Sequence, residues 1–403
     1  MRRDPPRTLV ALCQVYVPDP ASVGQQMAGA AEEMVRRGWR VIVLTSRDGY
    51  DDPSLHYPPR EILNGVEVLR LPWCSFGKRS MAVRVLGGLS FIFQAILAGV
   101  LVGPIDVVLV STNPPMGSFA ALVIGWVRRA AIKFWVMDVN PDQLVTLGLI
   151  GPRALPVRLF DLLNRQALAR ATDVIVLDRF MARRMNDKLD VSHKISVMPP
   201  WPLDDYLEPV PHESNPFRVA HNLQNKLVVM YSGNHASSNP LSTVLAAAAR
   251  LQDEPRLVFV FVGGGTAKKD VETAGLPNVL SLPYQPLAGL RHSLSAADVH
   301  LVTMGDAFVG MFHPSKVYGA MSVARPILFL GPADSHVGDL LRRAPIGWAL
   351  RHGDVDGVTA LFLRLLDAPR DQLTSMGLRA RVLIQSELSK TILCRRFCEV
   401  LER

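Results

Sequence analysis

Along the first two hundred residues, unbroken aliphatic runs alternate with stretches in which apolar residues recur every three to four positions. Strand pattern falls on 7–16, 39–46, 66–72, 106–112, 133–139, 171–178 and 194–199, and helical pattern on 24–38, 80–103, 115–129, 155–170 and 179–188. The runs at 41–45, 106–110 and 173–177 lack the polar alternation of a half-exposed sheet, as strands covered by helices on both faces do. Strands that alternate with helices in this way predict a parallel, doubly wound sheet. The rhythm breaks at Met198-Pro199-Pro200-Trp201-Pro202, where prolines deny backbone donors and push their predecessors toward extended conformations. It restarts with strands at 227–233, 256–265, 278–284, 297–305 and 325–331 and helices at 239–252, up to about 296 and at 314–323. The expected organisation is a first α/β domain over 1–203, a linker at 204–224, a second α/β domain over 225–384, and a final helix, 385–403, reaching back toward the first domain.

Composition narrows the class. With 403 residues, 49% hydrophobic and 20% charged, the chain can bury two cores. A net charge of +8 suits an anionic partner, whether a phosphate-bearing ligand, a lipid surface or nucleic acid. Nucleic acid is disfavoured because the basic residues are scattered and no recognised module appears. The four cysteines (Cys13, Cys74, Cys394, Cys398) form no C-x-x-C pair, which suits reduced, buried thiols in the cytoplasm and no metal site. The amino-terminal apolar run is short and is soon followed by Pro18-Asp19-Pro20, so it reads as a first strand and not as a secretory signal. Residues 85–105 carry no charge and follow Lys78, Arg79 and Arg84. Three readings stand in order: a buried domain helix, a helix lying against a membrane interface, and a span.

Ligands of open parallel sheets sit outside the carboxyl ends of the strands, so the loops after each strand carry the candidates. Gly24 reads either as a turn or as a point of backbone approach at a helix start, and no G-x-G-x-x-G stands beside it. Asp138-Val139-Asn140-Pro141-Asp142 brings two carboxylates and an amide to a sheet edge. Asp142 also suits a helix first turn, whereas Asp138 closes the apolar run Phe134-Trp135-Val136-Met137. In the second half, Ser232-Gly233-Asn234-His235 forms a small polar loop able to cradle a phosphate, or simply a capped turn. Gly263-Gly264-Gly265 admits a backbone or a nucleotide, and Tyr284 could wall a base. The densest cluster runs from Met304 to Met321. There Asp306, Gly310, Ser315, Lys316 and Tyr318 surround a helix start at Pro314, and a lysine in a first turn opposes the helix dipole unless an anion holds it.

With these loops in view, the sequence resembles the retaining glycosyltransferases of family 4, in the branch that builds bacterial surface polysaccharides. The markers are the Gly24 loop, D-V-N-P-D at 138–142, Y-S-G-N at 231–234, F-V-G-G-G at 261–265 and H-P-S-K-V-Y-G-A-M-S-V-A-R-P at 313–326. The resemblance implies the GT-B architecture, two Rossmann-like doubly wound domains facing a cleft, with a UDP- or GDP-linked sugar on the second domain and an acceptor on the first. Donor contacts would come from Ser232, Gly233, Asn234, His235, Gly263, Gly264, Tyr284, Asp306, Gly310, Ser315, Lys316 and Tyr318. Acceptor contacts would come from Gly24, Asp138, Asn140 and Asp142. Lys316 and Asp138 would act in catalysis without metal or cofactor, Lys316 on the leaving diphosphate and Asp138 on the acceptor hydroxyl. The implied setting is the inner face of the cytoplasmic membrane, with a lipid-linked glycan as acceptor. Two family glutamates are replaced here by Met311 and Gly319. That departure keeps open a catalytically degenerate nucleotide-sugar-binding subunit, and the fold also hosts nucleotide-sugar epimerases.

Overall fold

The aliphatic runs of the first half become an eight-stranded sheet in the computed structural model, which describes residues 6–19, 21–49, 52–77, 80–202 and 207–403. Its strands are β1 (Thr8–Leu12), β2 (Arg40–Ser46), β3 (Arg60–Leu63), β4 (Val66–Leu71), β5 (Val107–Ser111), β6 (Ala131–Val136), β7 (Asp173–Val176) and β8 (Ile195–Val197). They lie in the order β3-β4-β2-β1-β5-β6-β7-β8, parallel throughout except for the β3–β4 pair. Strand β3 is absent from the hydrophobic pattern because it is a half-exposed edge. Asn64 and Gly65, both with positive φ, make the tight turn into β4. The unit comprises Met1–Leu203, Gly310–Phe312 and Thr391–Arg403.

Six helices connect these strands: α1 (Ser22–Arg36), α2 (Met81–Leu101), α3 (Ser118–Arg128), α4 (Asp142–Thr146), α5 (Leu155–Arg170) and α6 (Arg179–Lys188). The segment with three readings is α2, capped by the Ser80 hydroxyl accepting from the Val83 amide at 3.3 Å. One face, with Gly87, Phe91, Ile92, Ala95 and Gly99, is buried, and a Cβ on Gly99 would sit 2.5 Å from Ile124 of α3. The small residues let α2 lie close against its neighbours, and β4 and β5 on either side of it in sequence share one sheet, so it is a layer of this unit. Its length and mean hydropathy of 1.8 over Ala82–Leu101 would also suffice to cross a membrane. The opposite face leaves Leu86, Phe93, Leu97 and Leu101 exposed. Of the residues noted beside this segment, Lys78 and Arg79 lie outside the described residues, as does Pro20.

The second unit, Asp204–Val309 with His313–Lys390, is built on six parallel strands. These are β9 (Leu227–Ser232), β10 (Leu257–Val262), β11 (Val279–Leu282), β12 (Val299–Thr303), β13 (Ile327–Leu330) and β14 (Gly347–Leu350), in the order β11-β10-β9-β12-β13-β14. The stretch read as linker holds α7 (Pro216–Ala220), whose Phe217 enters this unit's core; residues 204–206 lie outside the described residues. Helices α8 (Ser242–Arg250), α9 (Lys268–Thr273), α10 (Leu290–Ser295), α11 (Lys316–Ser322), α12 (His336–Arg343), α13 (Val355–Asp367) and α14 (Arg370–Glu387) complete it. The last helix, α15 (Lys390–Glu402), belongs almost wholly to the first unit: Phe397 packs 4.5 Å from Trp135, and the Cys394 thiol donates to the Gly29 carbonyl of α1. All four cysteines are free and buried.

Candidate functional site

Topology selects the loops that matter in the second unit. From β9 the chain proceeds through β10 and β11 on one side of the sheet and then returns to β12 on the other, so the loops after β9 and β12 flank the crevice where the order reverses. They are tied together by the Gly305 amide, which donates to the Ser238 carbonyl at 2.9 Å. The loop after β9 is stacked on the one after β10. Gly233 donates to Val262, His235 donates to Gly264, and a Cβ on Gly263 would lie 2.1 Å from the Gly233 carbonyl oxygen. The glycine at 263 is therefore required by its neighbouring loop, the backbone alternative of the two in the sequence. Tyr284, exposed, sets its ring edge 3.1 Å from a Cβ position on Gly264. Ser232 is half-buried, and Asn234 and Asp306 are exposed.

Against this stack lies Lys316, the first residue of α11. Its aliphatic stem crosses Gly233, where a Cβ would come within 2.8 Å of Lys316 Cε, and its Nζ stands 5.1 Å from the centroid of the Tyr231 ring. Among the described residues no carboxylate lies within ion-pair distance of it. Desolvation by the surrounding protein pushes its ammonium down to about 8. A half-buried cation faced by an aromatic ring and glycine backbone has its counter-charge still to come.

Three expectations for this cluster are corrected. The Ser315 amide is not available to a phosphate, because it donates to the His313 carbonyl at 2.9 Å. Gly310 leaves no room for a sugar: a Cβ there would fall 2.6 Å from the Phe180 carbonyl oxygen, so the glycine serves close chain packing. Tyr318 is buried, with its hydroxyl held between His313 Nε2 at 2.8 Å and His336 Nε2 at 2.9 Å, away from a ribose role. His235 is fully buried, its Nδ1 lies 3.3 Å from the Gly264 carbonyl, and burial lowers its pKa, so it stands neutral with Nε2 as an unpartnered acceptor. It can accept a hydrogen bond from a ligand hydroxyl but cannot supply a second cation.

In the first unit, the expected acceptor residues separate. Asp138 follows β6, with its amide donating to Thr112 Oγ1 at 3.1 Å and its carboxylate accepting from Gln143 Nε2 at 3.1 Å. Crowding by protein atoms raises its pKa, the Gln143 bond opposing, although the side chain keeps solvent contact and so rises less than an enclosed carboxyl. Gln143 Nε2 and the Val139 amide both donate to the Met311 carbonyl, at 2.8 Å each, so position 311 is held in this unit through its main chain. The Asn140 carbonyl accepts from Asn164. Asp142 is corrected to a structural role: Lys188 Nζ lies 2.8 Å from it and 2.7 Å from Asp161. Gly24 is likewise structural, buried with a Cβ position 3.1 Å from the Val15 carbonyl and its amide donating to Ala21. The His313–Tyr318–His336 cluster went unread because its members meet only through the fold. Arg47 and Trp73 were legible by position, immediately after β2 and β4. Among the described residues no three His, Cys, Asp or Glu side chains gather as a metal site.

Residues 22–201 match the family of glycosyl transferase 4-like domains. The chain is 28% identical over 332 residues to a protein of Pseudomonas aeruginosa named "Probable glycosyltransferase WbjE", covering 79% of this chain and 81% of that protein. Among solved structures, sucrose-phosphate synthase from Thermosynechococcus elongatus superposes with a TM-score of 0.74 at 14% identity over 98% of both chains. The Anabaena protein HepE, solved with UDP and glucose, superposes with a TM-score of 0.72 at 13% identity over 98% of this chain and 99% of its own. Residues 22–201 are thus similar to a glycosyl transferase 4-like domain, and the whole chain shares with these solved structures the GT-B fold of two parallel-sheet α/β units.

Proposed function

We propose that the protein transfers a sugar from a nucleoside-diphosphate donor, UDP- or GDP-linked, to a lipid-linked glycan acceptor with retention of configuration, needing neither metal nor cofactor. The observation that carries this is Lys316, an ammonium half-buried against Tyr231 and Gly233 with no carboxylate beside it among the described residues. A donor diphosphate supplies the missing charge. When the bond from the sugar C1 to the diphosphate breaks, the negative charge that develops on the leaving oxygen is met by Lys316, and that interaction strengthens toward the transition state. The new bond from C1 to the acceptor oxygen releases that hydroxyl's proton, and Asp138, with its raised pKa, orients the hydroxyl and holds the proton. Ser232, Gly233 and Asn234 line the donor side, with Tyr284 beside Gly264 and Asp306 at the loop after β12. His235 Nε2 accepts from a donor hydroxyl. HepE, solved with UDP and glucose, supports this class of donor.

The membrane-facing part of the reading rests on α2. Each exposed Leu or Phe on it forgoes about 1.5–3 kcal/mol of burial, and α3 adds Phe119 and Trp126. Between Glu67 and Asp138 the chain has a single acid, Asp106, while Arg84 and Arg129 stand exposed at the ends of this surface. An apolar face with a basic rim suits the cytoplasmic leaflet and peripheral attachment. High-salt and carbonate washing of membranes should release the protein, and its retention would point to a span.

The replaced glutamates favour the degenerate-subunit alternative, and the geometry bears on it at one position. Gly319 has room, a Cβ there meeting only Leu294 at 3.5 Å, so no packing constraint excludes a carboxylate from this site. Competitive titration with UDP, GDP and their 2′-deoxy forms decides. A working site should discriminate against the deoxy form by about 1 kcal/mol, one neutral hydrogen bond, and no binding at millimolar concentration by the folded protein would end the transferase reading.

A further inference from the structure

Beyond the residues so far assigned, the first unit has a cavity of about 740 Å³ at the carboxyl ends of β2 and β4. Its lining includes Arg47, Asp48, His56, Trp73, Ser75 and Phe76. The two loops that frame it are fixed to one another. Ser75 Oγ donates to the Gly49 carbonyl at 3.1 Å, the Arg47 amide donates to the Leu71 carbonyl at 2.9 Å, and a Cβ on Gly77 would lie 2.9 Å from Pro53. Trp73 is held with φ +55°, a conformation bulky residues rarely take, and 71% of its surface is exposed. A large indole kept in solvent on a left-handed turn is a cost the loop sustains for contact with something else. In the same lining, His56 Nδ1 lies 2.7 Å from Asp48 Oδ1. With Nδ1–H donating to the carboxylate, Nε2 is left as an acceptor beside the carboxylate's own oxygens.

We propose that this cavity is a saccharide subsite for the acceptor, with Trp73 as the platform for the apolar C–H face of a sugar ring and the Asp48–His56 pair as acceptor of its hydroxyls. An aromatic ring and a pair of hydrogen-bond acceptors in one cavity match the apolar face and the hydroxyls of a pyranose. The exposed Arg47 guanidinium adds a site for a phosphate on the same molecule. Two placements sharpen the class. Phe76 abuts α2, where a Cβ on Gly87 would lie 3.6 Å from its ring, so the cavity adjoins the helix whose outer face is apolar. In the strand order β4-β2-β1-β5-β6 the cavity also stands about 17 Å along the sheet edge from Asp138, a distance several sugar units long. The occupant is thus an oligosaccharide or the glycan of a glycolipid, larger than one ring.

This inference rests on the first unit being the acceptor side, and the test separates it from the donor reading. Saturation-transfer NMR with octyl β-D-glucoside, octyl β-D-galactoside and octyl α-D-mannoside, each below its micellar concentration, should show saturable binding of at least one by the full chain. Trp73→Ala should weaken that binding at least tenfold, Trp73→Phe should restore most of it, and Trp126→Ala on α3 should leave it unchanged. UDP binding by Trp73→Ala should stay within twofold of the parent, which shows the fold and the donor side intact. No saturable binding by the parent, binding unaltered in Trp73→Ala, or loss of UDP in place of glycoside binding would each overturn the subsite. Loss of UDP binding in Lys316→Ala with glycoside binding retained would support it.

Discussion

The two units each place a lysine out of bulk water, and they treat it differently. Lys133, on β6 of the first unit, is almost wholly buried and stands in register with Asp173 on β7, whose carboxylate accepts from its Nζ. Lys316, on α11 of the second, has the Tyr231 ring and Gly233 for neighbours and, among the described residues, no carboxylate within ion-pair distance. The first charge is matched within the fold, because an interior cation costs several kcal/mol if left alone. In the function proposed above, the second is matched by the donor diphosphate. An unmatched interior charge thus marks a site in a way that the residue type alone does not.

The comparison can be broken at its strongest point first. Lys133→Met should destabilise the first unit by about 3–5 kcal/mol, since it strands the Asp173 carboxylate, and the double variant Lys133→Met with Asp173→Leu should recover most of that. Urea unfolding measures both; additive losses would mean that the pair is not a unit. Lys316→Ala should weaken UDP or GDP binding by about 1–3 kcal/mol by calorimetry, and equal affinity would remove the proposed donor site. Lys316→Met should instead raise stability, by about 1–2 kcal/mol at pH 7. This is well under what a shift from 10.5 to about 8 would convert to, because the group is only half-buried. The sign follows from linkage. Below pH 8 the folded state carries a desolvated ammonium and the full penalty; between about 8 and 10.5 the unfolded chain binds the extra proton, so parent stability rises with pH and the advantage of the Met variant fades. Affinity for the diphosphate should run the other way, falling as pH climbs through about 8, and a flat profile would detach Lys316 from the anion.

Much of the fold was legible because buried strands write themselves as aliphatic runs, as at 106–110 and 173–177. Two edge strands were missed, β3 and β14; β3 was announced by Asn64-Gly65, a turn signal that a search for apolar runs passes over. In the candidate site, Lys316 could be singled out because a first-turn lysine conflicts with the helix dipole, a purely local contradiction. Gly310 and Tyr318 could not be judged locally. What disqualifies them for the roles expected is the Phe180 carbonyl and the His336 ring, which only tertiary structure brings into contact, whereas the Ser315 amide is taken up by a local turn to the His313 carbonyl. Trp73 was available to a reader of post-strand loops, yet its exposure and left-handed backbone, which give it meaning, are properties of the folded turn.

The helix α2 also sets a problem of timing for the cell that makes this protein. When Leu101 has been synthesised, β5 and β6 do not yet exist, and about 35 further residues must be added before Val136 completes them, roughly 2–7 s at ordinary elongation rates. Throughout that interval the nascent chain presents a helix whose one charge is Arg84 and which meets the length and hydropathy requirement of a membrane anchor, with only β1, β2, β3 and β4 to receive it. Gly87, whose Cβ position lies 2.9 Å from the Cys74 carbonyl oxygen, then has a kinetic meaning as well as a packing one, because Cys74 is already made while Ile124, the neighbour of Gly99, is not. By letting the helix settle closely on whatever part of the unit is ready, it tilts a race between docking and insertion, and slower translation just after residue 101 would tilt it back.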